Sequence, residues 1–144
     1  MSEPDVAALA HELRETLGRF MRRLRAEYGF PLSQLTVLGR LDRKGPLSIS
    51  DLAAAERVRP QSMAQTVREL ENAGLVQRRP DPDDGRRSFV ELTPDGRRAL
   101  EADRRHREGW LARVLEEDLS AEERALLRDA LPLLQRAADA RSRE

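Results

Sequence analysis

Polar side chains follow Pro60 at helical spacing, and their types suit hydrogen bonds to base edges and to phosphate. Proline is favoured at the first position of a helix, so a helix should begin there. Six polar residues are candidates for contact with DNA. They are Arg59 just before the helix, the outward residues Gln61, Ser62, Gln65 and Thr66 of its first two turns, and Arg68 one turn later. Glutamine can pair bidentately with adenine, serine and threonine can bond several base edges, and the first helical amides suit a phosphate. The segment therefore predicts a helix that reads bases in the major groove of DNA.

A second group of basic residues lies in a hairpin-like stretch further along the chain. Residues 75–79 and 88–92 have the composition of strands, and the loop 81–87 between them contains Arg86 and Arg87. A narrow, electronegative minor groove attracts arginine. We expect both arginines to contact DNA, although Asp81 and Asp83 in the same loop repel phosphate.

A short helix is predicted over residues 48–56, just before Pro60. Ser48 and Asp51 have the spacing of a capping box, with aspartate in place of the usual glutamate. Arg59 precedes a proline and is therefore disfavoured in helical geometry, which separates the two helices. Ser48, Ser50 and Arg57 are candidates for contacts to phosphate, which orient a protein on DNA without reading its sequence.

The remaining elements position this helix, turn, helix and hairpin. Apolar residues at spacings of three and four predict helices over 5–28, from an N-cap at Ser33 to Lys44, from Thr93-Pro94 to about Asp118, and onward from a capping box at Ser120 and Glu123. Pro132 should kink the last helix. The residues expected to face inward on the second and fourth helices are Leu35, Leu38, Leu41, Met63, Val67 and Leu70. The pattern predicts a mainly α fold with a small β-wing, a winged helix-turn-helix.

The composition is typical of a single cytoplasmic domain. The chain has 144 residues, 39% hydrophobic and 36% charged, with no cysteine and a net charge of zero. From Arg57 to Arg98 nine arginines stand against seven acids, whereas from Glu116 to Glu144 eight acids stand against five arginines. Positive charge is thus mildly concentrated at the predicted motif, and distribution matters more than the sum. We expect no disulfide or thiolate metal site, no signal peptide and no membrane span.

The first, fifth and sixth predicted helices each carry an apolar face that one small lobe does not cover. Such faces suggest a helical dimer interface. We expect residues 1–32 and 94–144 to form a helical dimerisation region and residues 33–93 a winged helix-turn-helix DNA-binding lobe, intertwined in a single domain. The alternative is that these helices pack on their own domain.

Five motifs occur in order at the spacing found in one known family. They are Leu52-Ala53, Val58-Arg-Pro-Gln-Ser-Met63, Leu70-Glu-Asn-Ala-Gly-Leu-Val76, Asp81-Pro-Asp-Asp-Gly-Arg86 and Leu92-Thr-Pro-Asp-Gly96. Together they resemble the multiple-antibiotic-resistance regulator (MarR) family. The motifs cover about residues 47–100, and the long first helix and the C-terminal helix pair extend the resemblance to nearly the whole chain.

The resemblance implies a homodimer that binds a pseudo-palindromic site in double-stranded DNA and represses transcription. It also implies that Asp84 steadies Arg86 in the minor groove, through the family's Asp-x-Arg pattern. Many members release DNA when a small, often phenolic or lipophilic, effector binds between the dimer region and the DNA-binding lobe. Thiol oxidation, another signal in the family, is excluded because the chain has no cysteine.

An effector cavity is the less clear expectation. Four of the five aromatic residues of the chain belong to the candidate lining set, which is Phe20, Leu24, Tyr28, Phe30, Leu38, Leu41 and Trp110. On the fifth helix, Asp103, His106 and Arg107 interrupt the apolar face, and salt bridges across a dimer interface are the alternative explanation.

Two other functions remain open from the sequence. The acidic loop and zero net charge fit a winged helix that binds only proteins. An enzyme or a metal sensor is the other alternative, because Asp103 and His106 have possible ligand spacing. Neither these residues nor His11 has an evident third ligand or nucleophile. We therefore expect no enzymatic activity, no metal and no cofactor.

Overall fold

The computed structural model describes residues 2–140, which form six helices and one two-stranded sheet. The elements are α1 (Glu3–Arg25), α2 (Leu32–Lys44), α3 (Ile49–Glu56), α4 (Pro60–Asn72), β1 (Val76–Pro80), β2 (Ser88–Leu92), α5 (Pro94–Asp118) and α6 (Ala121–Asp139). The predicted fold class, mainly α with a small β-wing, is confirmed. The end of the predicted C-terminal region, residues 141–144, lies outside the described residues.

The core lies where α2, α3, α4, the wing and α5 meet. The six residues expected to face inward on α2 and α4 are all buried, as the helical period of 3.6 residues requires for a one-sided apolar stripe. Leu52 of α3, Val90 of β2 and Leu100 of α5 complete the centre of this core, each 0% or 1% exposed.

The turn between α3 and α4 is built from caps at both ends. Ser48 is the N-cap of α3, and its Oγ accepts a hydrogen bond of 3.1 Å from the Asp51 backbone N–H. Arg57 ends α3 in the left-handed region at φ 54°, a conformation that costs a non-glycine residue free energy. Arg59 is extended, as expected for a residue before proline, and Pro60 opens α4.

The wing is fixed at its base by main-chain contacts. Strands β1 and β2 pair antiparallel, from Val76 opposite Leu92 to Pro80 opposite Ser88. Val90 of β2 also exchanges two backbone hydrogen bonds with Leu47, of 3.1 and 2.7 Å, in the segment that leads into α3. The orientation of the wing therefore depends on the helix-turn-helix beside it.

Hydrogen bonds of Thr93 also join α4, the wing and α5. Gly74 closes α4 at φ 76°, and the Thr93 hydroxyl donates a hydrogen bond of 2.6 Å to its carbonyl. Thr93 Oγ1 also accepts from the Gly96 backbone N–H at 3.0 Å, which caps the start of α5. Thr93 thus joins the end of α4 to the beginning of α5.

Two helix ends differ from the prediction. Helix α1 ends at Arg25 rather than near residue 28, because the following residues close into a turn with i to i−3 hydrogen bonds. The N-cap of α2 is Pro31 and not Ser33; the Pro31 carbonyl accepts the first helical hydrogen bonds, and Ser33 lies inside the helix.

The chain divides into two compact units, one up to Arg107 and one from Glu108 onward. In the second unit Ser120 and Glu123 form the predicted capping box, with Ser120 N–H donating to the Glu123 carboxylate at 2.9 Å. That backbone hydrogen bond, followed by the bond with the Ser120 side chain, lowers the pKa of Glu123. Pro132 lies inside α6, as predicted. Within residues 2–140, no helix combines the length and the apolarity that a bilayer crossing requires.

Candidate nucleic-acid interface

Helix α4 presents a polar face opposite its buried stripe. Gln61, Gln65 and Arg68 occupy positions i, i+4 and i+7, so they share one face, and all three are exposed. We call these three residues the recognition face. The buried stripe of the same helix, which includes Met63 and Val67, packs against the core, so the recognition face points to solvent. The sequence-based expectation about which side of α4 faces solvent is therefore confirmed.

Two hydroxyl residues beside the recognition face differ in how available they are. Ser62 is exposed, and its side chain has no hydrogen-bond partner among the described residues. Thr66 is half-buried, and its hydroxyl donates to the Ser62 carbonyl at 3.2 Å, one turn back in the helix. Arg59 and Gln61 have side chains that, within residues 2–140, make no hydrogen bond or ion pair.

The acidic residues of the wing loop hold the loop together. Asp81 accepts from the Asp83 backbone N–H at 2.9 Å, and Asp84 accepts from the Arg86 backbone N–H at 3.0 Å. Asp84 thus steadies the backbone of Arg86 rather than its guanidinium. The Arg86 side chain has no partner in the described part of the chain and stands at the loop surface. These carboxylates shape the turn that exposes Arg86.

Arg87 and Ser48, both expected at DNA, are engaged within the protein. The Arg87 guanidinium donates to Ser48 Oγ at 3.4 Å, lies 3.5 Å from Asp51 and covers the Phe89 ring at 6.0 Å. Ser48 is 5% exposed, and its hydroxyl already accepts the capping bond of α3. Sequence reasoning missed Asp51 as a partner of Arg87, although its place in the first turn of α3 was visible. Arg57 makes no side-chain contact of this kind among the described residues.

Of the seven residues expected around an effector cavity, Tyr28 and Phe30 line one hollow of about 520 Å³. The other residues that line it are Ala26, Glu27, Gly29, Ala99, Ala102, Asp103 and His106. Leu38 and Leu41 are buried in the core instead, and Phe20 lines a different hollow on α1. Leu24 is half-buried, and Trp110 belongs to the second unit.

Charged residues form one wall of the Tyr28 hollow. Asp103, 6% exposed, accepts from the Gly29 backbone N–H at 2.7 Å, and Arg107 Nε lies 2.9 Å from its other oxygen. Asp103 Oδ2 and Arg107 Nε have no hydrogen-bond partner among the described residues, so their contact is ionic rather than a directed hydrogen bond. Arg107 also lies over the Tyr28 ring at 4.9 Å. His106 Nε2 lies 3.1 Å from Glu27 at the edge of the hollow.

The possible metal ligands do not assemble in the part of the chain that the structure describes. No group of three or more histidine, cysteine or acidic side chains there has the geometry to hold an ion. Asp103 and His106, the pair with ligand spacing, are each engaged with other residues of the hollow.

Known proteins resemble this chain over nearly its full length. An HTH-type transcriptional regulator of Mycobacterium tuberculosis is 38% identical over 131 residues, which cover 89% of this chain and 91% of that protein. A solved structure from Pseudomonas aeruginosa PA01 is 40% identical, with a TM-score of 0.83, and the match covers 99% of this chain and 100% of that one. A MarR family protein from Bacillus stearothermophilus is 26% identical with a TM-score of 0.77, covering 97% and 99% of the two chains.

The family comparison agrees with these relatives. The model of the MarR family matches residues 28–87, which contain most of the core, the helix-turn-helix and most of the wing. The chain therefore belongs to the MarR family of regulators.

Proposed function

We propose that this protein is a sequence-specific regulator of transcription that binds double-stranded DNA as a homodimer and acts as a repressor. The observation that carries the proposal is the exposed recognition face of α4 beside a wing loop whose Arg86 is unpaired among the described residues. A helix of this kind enters the major groove while the wing reaches the adjacent backbone or minor groove. The names of the relatives support the same function. Because the protein must meet DNA, we also propose a cytoplasmic location.

The predicted DNA-contact residues divide into two groups, according to whether their side chains already have a partner within the protein. Arg57, Arg59, Gln61, Ser62 and Arg86 make no side-chain hydrogen bond or ion pair within residues 2–140, so DNA does not have to displace an internal partner. The other predicted contact residues, each of which already has a hydrogen-bond partner within the protein, are Ser48, Gln65, Thr66, Arg68, Asp84 and Arg87. We propose the first group as contacts that need no internal rearrangement.

A homodimer follows from the apolar faces outside the core. Helix α1 exposes Val6, Leu9 and Leu17 by about half of their surface, and α6 exposes Leu126 and Leu133 even more. We propose that residues 1–32 and 94–144 form the dimerisation region and that residues 33–93 form the DNA-binding lobe. Two-fold symmetry then requires a pseudo-palindromic operator with half-sites about one helical turn apart.

Selection of bound duplexes from a random pool, followed by titration at several salt concentrations, tests this function. The expected result is an inverted repeat whose affinity falls steeply with salt, since phosphate contacts release counterions. A flat titration on every selected or upstream duplex, with a stable protein partner in its place, would show instead that the winged helix binds proteins.

Arg86→Ala tests the wing. Because arginine in the minor groove adds charge-based affinity, the variant should bind all duplexes more weakly by a similar factor and lose about one unit of salt slope. Arg105→Ala removes the same charge from an exposed position on α5 and should bind as the parent does. Equal affinities for the two variants would show that the wing does not touch DNA.

We further propose that the hollow beside Tyr28 and Phe30 binds a small aromatic or lipophilic effector that releases the DNA. Both rings pack against the core of the DNA-binding lobe, so a molecule in the hollow is placed to shift that core. Ala102→Phe should fill the hollow, keep DNA binding and abolish release by any molecule found in an effector screen. Release that persists in this variant would place the effector elsewhere.

A further inference from the structure

A chain of hydrogen bonds crosses the recognition face and ends on α2. Gln34 of α2 donates to Glu69 Oε2 at 3.0 Å, and Gln65 Nε2 donates to Glu69 Oε1 at 3.3 Å. Arg68 Nη2 in turn donates to Gln65 Oε1 at 2.7 Å. We call these four residues the polar relay.

The relay restricts its two middle members, Glu69 and Gln65. Each oxygen of the Glu69 carboxylate has its own donor, so Gln34 holds that carboxylate from a second helix. The Gln65 amide is then bound at both its nitrogen and its oxygen, which fixes which atom points to Arg68. Gln65 can pair bidentately with adenine only by reorienting an amide that is already committed to two protein partners.

Arg68 is left with most of its donors open. A guanidinium has five N–H groups, and only one bond to Gln65 is made among the described residues, where Arg68 also has no ion pair. Long helical side chains lean toward the N-terminus, and the 2.7 Å contact places the Arg68 guanidinium beside the preceding turn of α4. The guanidinium therefore lies closer than its own Cα to the N-terminal turns of α4, and in DNA-reading helices these turns contact the bases.

We propose that Arg68 reads guanine in each half-site, and that Gln65, Glu69 and Gln34 are positioning residues for it. The guanidinium fork would donate to guanine O6 and N7, the most frequent specific contact of arginine with DNA. Held by Gln65, the side chain loses less freedom on binding than a mobile arginine does. This inference rests on the proposed DNA-binding function and assigns one of its specificity-determining residues.

A conservative substitution separates base reading from phosphate contact. Arg68→Lys keeps the positive charge but lacks the planar fork, whereas lysine serves phosphate well as a point charge. Selection from a random duplex pool should give the parent protein a guanine at one position of each half-site. The Lys variant should keep its salt slope and lose that preference by roughly five- to 150-fold, the range of one bidentate base contact.

Variants of the positioning residues test the rest of the relay. Gln34→Ala and Glu69→Ala should each weaken the same guanine preference by a smaller factor. Glu71→Ala is the matched control, because it removes an α4 carboxylate that pairs with Arg78 at 2.8 Å and lies outside the relay. It should leave the preference unchanged. The relay side chains lie at the surface, where such contacts contribute little to stability, so all variants should fold.

The possible failures are distinguishable. A parent protein that selects no sequence contradicts the proposed function itself. A parent that selects an operator, together with an Arg68→Lys variant that keeps the same guanine, overturns the reading by Arg68. Loss of guanine in Arg68→Lys with full preference in both Gln34→Ala and Glu69→Ala overturns the positioning role.

Discussion

Gly96 lies at the point of closest approach between α5 and the start of the wing. A Cβ atom built at this position would stand 1.9 Å from the carbonyl oxygen of Leu75, far inside van der Waals contact. That carbonyl also accepts a hydrogen bond from Thr93 N–H at 3.1 Å, so it cannot move away freely. The absence of a side chain at Gly96 therefore allows α5 to start against Leu75, in the segment that joins α4 to the wing.

Gly96→Ala should destabilise the protein by about 1–3 kcal/mol, the usual cost of forcing an extra carbon into a packed site. Chemical denaturation followed by circular dichroism measures the change. Gly109→Ala in the same helix is the control, since nothing lies within 4 Å of its Cβ position. Alanine is the better helix former there and should stabilise by up to about 1 kcal/mol. A Gly96→Ala variant as stable as the parent would mean that the Leu75 backbone can move away from the new methyl group.

Sequence periodicity predicted the outward residues of α4 but not what their side chains contact. Met63 and Val67 had to face the core, so Gln61 and Gln65 had to face solvent. The engagement of Arg87 with Ser48 depends on a separation of 39 residues, which no local pattern encodes. Leu38 is predicted both to face the core and to line a cavity, because an apolar stripe looks the same in both cases; it is buried in the core.

At the scale of elements, α3 depends on its N-cap more than its eight residues suggest. Short helices have few internal hydrogen bonds to offset the cost of nucleation. Ser48 satisfies the Asp51 backbone N–H and also accepts from Arg87, so one hydroxyl serves α3 and the wing. The helix and the wing should therefore lose order together when this hydroxyl is removed.

Ser48→Ala should cost about 1–2 kcal/mol, at the upper end for N-caps because the site is buried. Ser50→Ala, an exposed substitution in the first turn of the same helix, should change stability by less than about 0.5 kcal/mol. Hydrogen exchange of α3 and β2 amides can show whether the two elements loosen together. Faster exchange in α3 alone would separate the wing from the cap.

Helix boundaries show where element prediction failed. The cap assigned to Ser33 rested on its hydroxyl, but the chain enters α2 through Pro31, whose carbonyl accepts from Gln34 and Leu35 without any side-chain cap. Ser120 is predicted from a full capping box with Glu123, and it does cap α6, with Glu123 making the reciprocal bond. A capping residue is thus better predicted when the sequence supplies both halves of the box.

At the scale of the whole molecule, the two compact units share one property: each exposes an apolar helix face. On α1 the face includes Leu9, Leu13 and Leu17, and on α6 it includes Leu126 and Leu131, all at least 38% exposed. Apolar faces of this length are rare on monomers in water. In the proposed homodimer they are the surfaces that association removes from solvent.

Leu13→Glu should therefore shift the protein to a monomer, because the carboxylate would have to be buried without a partner at the centre of the α1 face. Sedimentation equilibrium measures the shift, and operator affinity should fall with it, since a monomer contacts one half-site. Ala8→Glu introduces the same charge on the opposite side of α1 and should remain dimeric. A Leu13→Glu protein that stays dimeric and binds DNA as the parent does would exclude this face of α1 from the interface, and α6 would then be the element to test.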